Sequence, residues 1–312
     1  MRLNKKADRN SFGLTCRQWL HIQNNNCRFL SYHKHNPKMI ARFGVDASYT
    51  MVLGKLLNRF PNLKSLLLEV GHPEVTEFLT SKFESEVQRL VLDGCCESSH
   101  IEPSPVFSWF PRLTSIILTS HHITDKGLEE LAKRCTSLKD VDFRHCDSVT
   151  DSEISLLLRN CPELVSLCFL DCSSITEGIN AIVSGGGLEY VTLYHDSKSK
   201  EGSITTEAIA TIAKGCPLLK ELILSNCEEV ELQGWQAIGR NCQKLEYLCV
   251  YGCRKLCDLG LQALCDGCNK LSRLLVDDEN SCSRSALELF KRKRPSVMCH
   301  LQRDFKCPKN LR

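Results

Sequence analysis

The chain has 312 residues, 42% of them hydrophobic and 25% charged, a balance that excludes an intrinsically disordered protein and supports a substantial core. A net charge of +3 and a pI near 8.0 exclude binding that rests mainly on neutralising nucleic-acid phosphates. The N-terminal MRLNKKADRN is polar, no run approaches about 18 apolar residues, and there is no Asn-x-Ser/Thr sequon, so no secretory or membrane route is signalled. The expectation is an intracellular protein of the cytoplasm or nucleus, in which 20 cysteines need an explanation other than a disulfide framework.

In chain order, residues 1–30 contain the string Asp8-Arg9-Asn10-Ser11-Phe12-Gly13-Leu14-Thr15-Cys16-Arg17-Gln18-Trp19-Leu20, and residues 31–59 read as a cap or connector. Residues 60–301 repeat, and residues 302–312 form a tail. The repeat is clearest in CTSLKDVDFRHC from Cys135, CPELVSLCFLDC from Cys161, CPLLKELILSNC from Cys216 and CQKLEYLCVYGC from Cys242. Their leading cysteines stand 26 residues apart (135 to 161, 216 to 242), and Cys268 follows at the same interval. Looser copies begin at Phe60, Glu84, Phe110, Gly185 and Arg294, giving about ten repeats in the length range of leucine-rich repeats.

Within each copy the alternating pairs Val141/Phe143, Leu167/Phe169 and Leu222/Leu224 predict a short strand with one face in a core. The following apolar pattern has helical spacing, as in TDKGLEELAKRC, where Leu128, Leu131 and Ala132 share a face. Thr124, Thr150 and Thr176 suit the N-caps of these helices, with Asp125, Asp151 and Glu177 where the helix dipole favours negative charge. One strand and one helix cannot bury both apolar faces alone, so neighbouring copies must stack. Helices are wider than strands, and the stack therefore curves. The predicted fold is α/β, a leucine-rich-repeat solenoid or horseshoe with parallel strands on the concave face and helices on the convex face.

Two cysteine ladders flank the strands: Cys135, Cys161, Cys216, Cys242 and Cys268 before them, and Cys95, Cys146, Cys172, Cys227 and Cys253 after them. Small, buried, weakly hydrogen-bonding side chains suit stacked turns. The alternative is zinc on Cys253, Cys257, Cys265 and Cys268, but two of these already belong to the ladders, and no metal site is expected. The His121-His122 pair reads as a solvated turn or a pH-sensitive contact. Gly185-Gly186-Gly187 reads as a shortened helix end, and no catalytic set or phosphate loop has local support. The run Lys291-Arg292-Lys293-Arg294 reads as a basic helix end or as a nuclear import signal.

On the outward face of the strands, Tyr190, Thr192 and Tyr194 lie on one strand and Tyr247, Cys249 and Tyr251 two repeats on, with Glu221, Ile223 and Ser225 between. Four of the chain's six tyrosines gather there, either as an anchor for a protein partner or through the strand preference of tyrosine. Asp140, Asp142 and Arg144 form a second, charged group that sets specificity or is simply solvated. A polar insertion, Asp196 to Gly202, follows Tyr194 directly. The outward arginines Arg89, Arg144 and Arg273 are too scattered for a basic ligand pocket.

The repeats, together with Ile123-Thr124-Asp125-Lys126-Gly127-Leu128 and Leu256-Cys257-Asp258-Leu259-Gly260-Leu261, resemble the cysteine-containing class of leucine-rich repeats. Phe12, Leu14, Cys16 and Trp19 resemble the last helices of an F-box, of which this chain carries only the C-terminal part. The whole is most similar to plant F-box/leucine-rich-repeat proteins. That resemblance implies a non-catalytic subunit, without cofactor, that selects a target protein for an SCF ubiquitin ligase. It further implies a Skp-type adaptor, contacted through Phe12, Leu14, Cys16 and Trp19, and a cullin scaffold as partners, and no nucleic-acid or membrane partner. A scaffold or competitor uncoupled from the ligase is the alternative, because part of the F-box pattern is missing.

Overall fold

The computed structural model describes residues 17–32, 49–69, 85–93, 107–119, 125–146, 149–172, 187–195 and 204–301. Eleven strands follow one another: β1 (Phe29–Tyr32), β2 (Ser65–Glu69), β3 (Arg89–Asp93), β4 (Ser115–Thr119), β5 (Asp140–Arg144), β6 (Ser166–Leu170), β7 (Tyr190–Tyr194), β8 (Glu221–Ser225), β9 (Tyr247–Tyr251), β10 (Arg273–Val276) and β11 (Met298–Leu301). Each pairs in parallel with the strand before it, so the order in the sheet is the order in the sequence. The described helices are α1 (Arg17–Asn26), α2 (Tyr49–Arg59), α3 (Asp125–Arg134), α4 (Asp151–Asn160), α5 (Thr206–Gly215), α6 (Leu232–Asn241), α7 (Asp258–Gly267) and α8 (Arg284–Lys293). Strands repeat every 4.8 Å or so, while helices with their side chains are about 10 Å wide, and this mismatch bends the stack with the sheet on the inside.

One core runs through the repeats. The strand residues at the second and fourth positions, such as Val141 and Phe143 or Leu222 and Leu224, are buried. Against them pack the inner faces of the helices, including Ile209 and Ile212 of α5, Trp235 and Ile238 of α6, and Leu261 and Leu264 of α7. Phe143 and Phe169 stack across β5 and β6 with ring centroids 5.4 Å apart. Helix starts are fixed locally. Thr150 forms a capping box with Glu153, whose carboxylate accepts from the Thr150 N–H at 3.0 Å. Thr205 and Ser283 accept from the N–H groups of Ala208 and Ala286 at 3.2 and 3.1 Å. Thr124 and Thr176 lie outside the described residues.

The cysteine ladders hold successive turns together. Before the strands, Cys161 Sγ donates to Cys135 O at 3.5 Å and Cys268 Sγ to Ile238 O at 3.9 Å. After the strands, Cys146 reaches Leu118 O at 3.4 Å, Cys172 reaches Phe143 O at 3.5 Å and Cys253 reaches Leu224 O at 3.8 Å. Burial pushes the thiols of Cys135, Cys216 and Cys268 up to about 12 and that of Cys161 up to about 11, so they stay protonated donors. Among the described residues, no group of three or more side chains is placed to hold a metal ion. The residue after each of four strands, His145, Asp171, Asn226 and Gly252, takes a positive φ of 52–61° that turns the chain out of the sheet.

The repeats begin earlier than residue 60. Strand β1 pairs with β2 in register from Phe29↔Ser65 to Tyr32↔Leu68. The backbone also shows the repeat signature there: the N–H groups of Lys64 and Ser65 both donate to Arg28 O at 2.9 Å, as those of Lys220 and Glu221 donate to Glu189 O at 2.7 and 3.0 Å. Residues at the boundary between the expected F-box segment (1–30) and connector (31–59) therefore form the first rung, with α1 directly before it. The Arg28 guanidinium donates to Asn25 O and Asn62 O at 3.0 and 2.9 Å, and Arg59 Nε donates to Asn24 Oδ1 at 3.1 Å. At the other end Arg294 occupies the ladder position and its guanidinium donates to the carbonyls of Cys265, Cys268 and Asn269 at 2.9, 3.1 and 3.0 Å. Lys291, Arg292 and Lys293 stay exposed.

Candidate protein-binding face

On β3 to β9 the first, third and fifth residues face the concave side, as do the first and third of β10, and the pairing register places them in three rows. The first row contains Asp140, Ser166, Tyr190, Glu221, Tyr247 and Arg273 on β5 to β10. The third contains Asp142, Cys168, Thr192, Ile223, Cys249 and Leu275, and the fifth contains Arg144, Leu170, Tyr194, Ser225 and Tyr251 on β5 to β9. The four tyrosines thus form two pairs, Tyr190 with Tyr247 astride Glu221 and Tyr194 with Tyr251 astride Ser225. All four are half-buried. The Arg273 guanidinium lies over the Tyr247 ring, 5.5 Å from its centroid. Burial, chiefly, pushes the Tyr247 phenol up and the Cys249 thiol up to about 12.

Ile223 needs correction as a contact residue. It faces the partner side but is only 2% exposed, as are Cys249 at 1% and Thr192 at 6%. With large rings in the rows on either side, the middle row becomes a floor. Ser225 is likewise fully enclosed between Tyr194 and Tyr251. A tyrosine also stands on a strand outside this group, because Tyr32 ends β1.

The charged group is an internally paired one. Arg144 Nε and Nη2 donate to the same Asp142 oxygen, Oδ2, at 2.9 and 2.5 Å, while Oδ1 is enclosed without a hydrogen-bond partner. Asp140 stands half-buried beside it on the first row. A cavity of about 130 Å³ opens between β3 and β8 and joins this group to the tyrosines. Its floor includes Ile117, Asp142, Cys168 and Thr192, and its rim includes Arg89, Asp140, Tyr190 and Glu221. Towards the N-terminus the middle row is apolar and only half-buried, through Leu67, Val91 and Ile117. Numbering the strands from a common first residue would have brought out both features, since Asp140 and Tyr190 are two strands apart.

Of the expected adaptor contacts, Trp19 lies on α1, and Phe12, Leu14 and Cys16 lie outside the described residues. His121, His122, Gly185, Gly186 and the 196–202 insertion lie outside them as well.

A single curved parallel sheet backed by helices, with cysteine ladders between its turns, defines a leucine-rich-repeat solenoid. The family model for Leucine Rich repeat matches residues 112–132. Two solved structures share the fold: a chain of the Rad7 and Elc1 complex from yeast, at a TM-score of 0.50 and 15% identity over 89% of this chain and 75% of that one; and the leucine-rich repeat-containing protein LegL7 from Legionella pneumophila, at 0.50 and 14% over 87% and 88%. The Arabidopsis thaliana F-box/LRR-repeat protein 12 is 38% identical over 276 residues, 70% of this chain and 69% of the relative. The chain belongs to the F-box/LRR-repeat protein family.

Proposed function

We propose that this protein is the substrate-recognition subunit of an SCF-type E3 ubiquitin ligase and that it has no catalytic step of its own. The observation that carries the reading is the concave aromatic face: four half-buried tyrosines on two strands, rigidly spaced by β8, in a chain of the F-box/LRR-repeat family. Large, pre-positioned aromatic side chains lose little conformational freedom on binding and anchor protein interfaces. The mechanism is positioning. A target held on the concave face meets the ubiquitin-carrying enzyme at high effective concentration, and transfer follows from proximity.

The tie between α1 and the first rungs serves that mechanism. Phe12, Leu14, Cys16 and Trp19 would meet the Skp-type adaptor, and the Arg28, Asn62 and Arg59 hydrogen bonds fix the end of α1 to the solenoid. Adaptor and target are then held in one frame.

The test is affinity capture with the wild-type chain beside a Tyr194→Ala, Tyr247→Ala, Tyr251→Ala variant, together with co-purification of a Skp-type adaptor. The expected result is a target set lost in the variant and an adaptor bound by both. Targets captured equally by the variant would remove the tyrosines from the interface. Failure to bind the adaptor would leave a scaffold or competitor outside the ligase.

A further inference from the structure

The cavity between β3 and β8 has a chemistry distinct from the tyrosine pairs. Asp140 and Asp142 are the first and third residues of β5, so their carboxylates stand on the same face about 7 Å apart along the strand. Two strands away in register is Tyr190, and Glu221 completes the rim beyond it. Among the described residues of the lining, Arg89 is the one cation, against three carboxylates. Arg144 is already engaged with Asp142 Oδ2.

Negative charge is left over in this lining. Asp142 Oδ1 is enclosed with no hydrogen-bond partner, so its charge is only partly compensated by Arg144. Asp140 has no side-chain hydrogen bond or ion pair recorded among the described residues. Beside Asp142 on the floor lie the apolar side chains of Ile117 and Cys168. At about 130 Å³ the cavity is well below the roughly 300–1,000 Å³ of small-molecule sites, and it suits one long side chain. Carboxylates next to apolar side chains and an aromatic ring match a cation carried on an aliphatic stem.

We propose that this cavity receives a lysine or arginine side chain from an extended segment of the bound target, with the Asp140 carboxylate as the acceptor and the Asp142 carboxylate adding negative charge beneath it. The inference rests on the reading that targets lie on the concave face, and it adds the chemistry they present: a basic residue entering at β5, with the flanking segment running on towards the tyrosines. A lysine held there is shielded, so ubiquitin is transferred to another.

The probe is a library of extended peptides with lysine, arginine, norleucine, citrulline or glutamate fixed at the centre, measured by fluorescence polarisation against the full chain. The wild type is expected to prefer lysine or arginine over norleucine or citrulline by about tenfold or more, the loss of one charge-assisted contact. In Asp140→Asn the preference falls to about twofold or less, and in Asp140→Lys it turns towards glutamate. The Asp140 side chain has no partner among the described residues, so unchanged melting curves are expected for both variants. A wild type without the basic preference, an Asp140→Asn variant that keeps it, or no binding of any peptide overturns the proposal. Failure of the wider reading shows elsewhere, as equal target capture by the tyrosine variant and the wild type.

Discussion

Gly267→Ala probes the geometry that holds the tyrosine strands in place. Gly267 ends α7 against Gly239 of α6, and a Cβ added there would stand 2.7 Å from Gly239 Cα and closer still to its carbonyl. Ordinary contact begins near 3.4 Å, so the two helices must part by at least 0.7 Å (3.4 − 2.7). Because backbone meets backbone, no side chain can yield. Overpacking of this kind costs about 3 kcal/mol at the upper end of the usual range, and the lower chain entropy of alanine offsets about 1 kcal/mol, leaving about 2 kcal/mol of destabilisation. The assay is urea unfolding, with Gly54→Ala of α2 as the control: nothing lies within 4 Å of its added Cβ, and it should gain about 0.5–1 kcal/mol. Parting the helices also bends the sheet at β9, between Tyr247 and the Arg273 that lies over it, so target binding should weaken with stability. A Gly267→Ala chain as stable as Gly54→Ala would refute the close helix contact and its effect on the concave face.

Arg294→Ala should lower stability by about 2 kcal/mol, since one guanidinium serves several carbonyls at the end of α7, whereas Arg294→Cys should recover part of the loss by restoring the ladder residue. An unfolding midpoint within error of wild type would remove Arg294 from the cap. Alkaline stability follows from the ladder thiols. Folding raises Cys135, Cys216 and Cys268 from 9.0 to about 12, so their contribution is complete below pH 9 and is lost as pH rises from 9 towards 12. Each thiol then weakens the fold by about 1.4 kcal/mol per pH unit in that window. Denaturant unfolding under reducing conditions from pH 8 to 11 checks this, and a flat profile above pH 9 contradicts it.

The regular part of the fold was legible because its signals are local and periodic. The L-x-L strands, the helix faces and the 26-residue cysteine spacing all point to one stack, and β5, β6, β8 and β9 fall where that pattern puts them. β1 was not legible. Phe-Leu-Ser-Tyr has no ladder cysteine, and the helix before it carries the F-box resemblance, so the segment was divided between the F-box part and the connector. Tyr190, Tyr194, Tyr247 and Tyr251 were found because alternation alone decides which way a strand residue faces. How far a facing residue is covered depends on neighbours 26–31 residues away in sequence, and for that reason Ile223 read as a contact and is a floor.

The same coverage divides the concave face into two kinds of surface. On β3, β4 and β5 the third residue remains partly open, whereas on β6, β7, β8 and β9 it is closed. A partner lying across the closed half touches the first and fifth rows, tyrosine rings above all, and finds no depth to enter. Across the open half it can insert a side chain between strands. The Asp140–Asp142 cavity sits at the change from one to the other, where the open middle row ends and Tyr190 begins. A target that uses both halves therefore needs two features at a set distance: a segment flat enough to lie on the tyrosines, and one projecting residue at β5. Requiring both raises specificity beyond what either surface provides, because a protein offering only one leaves a carboxylate unpartnered or an aromatic face uncovered.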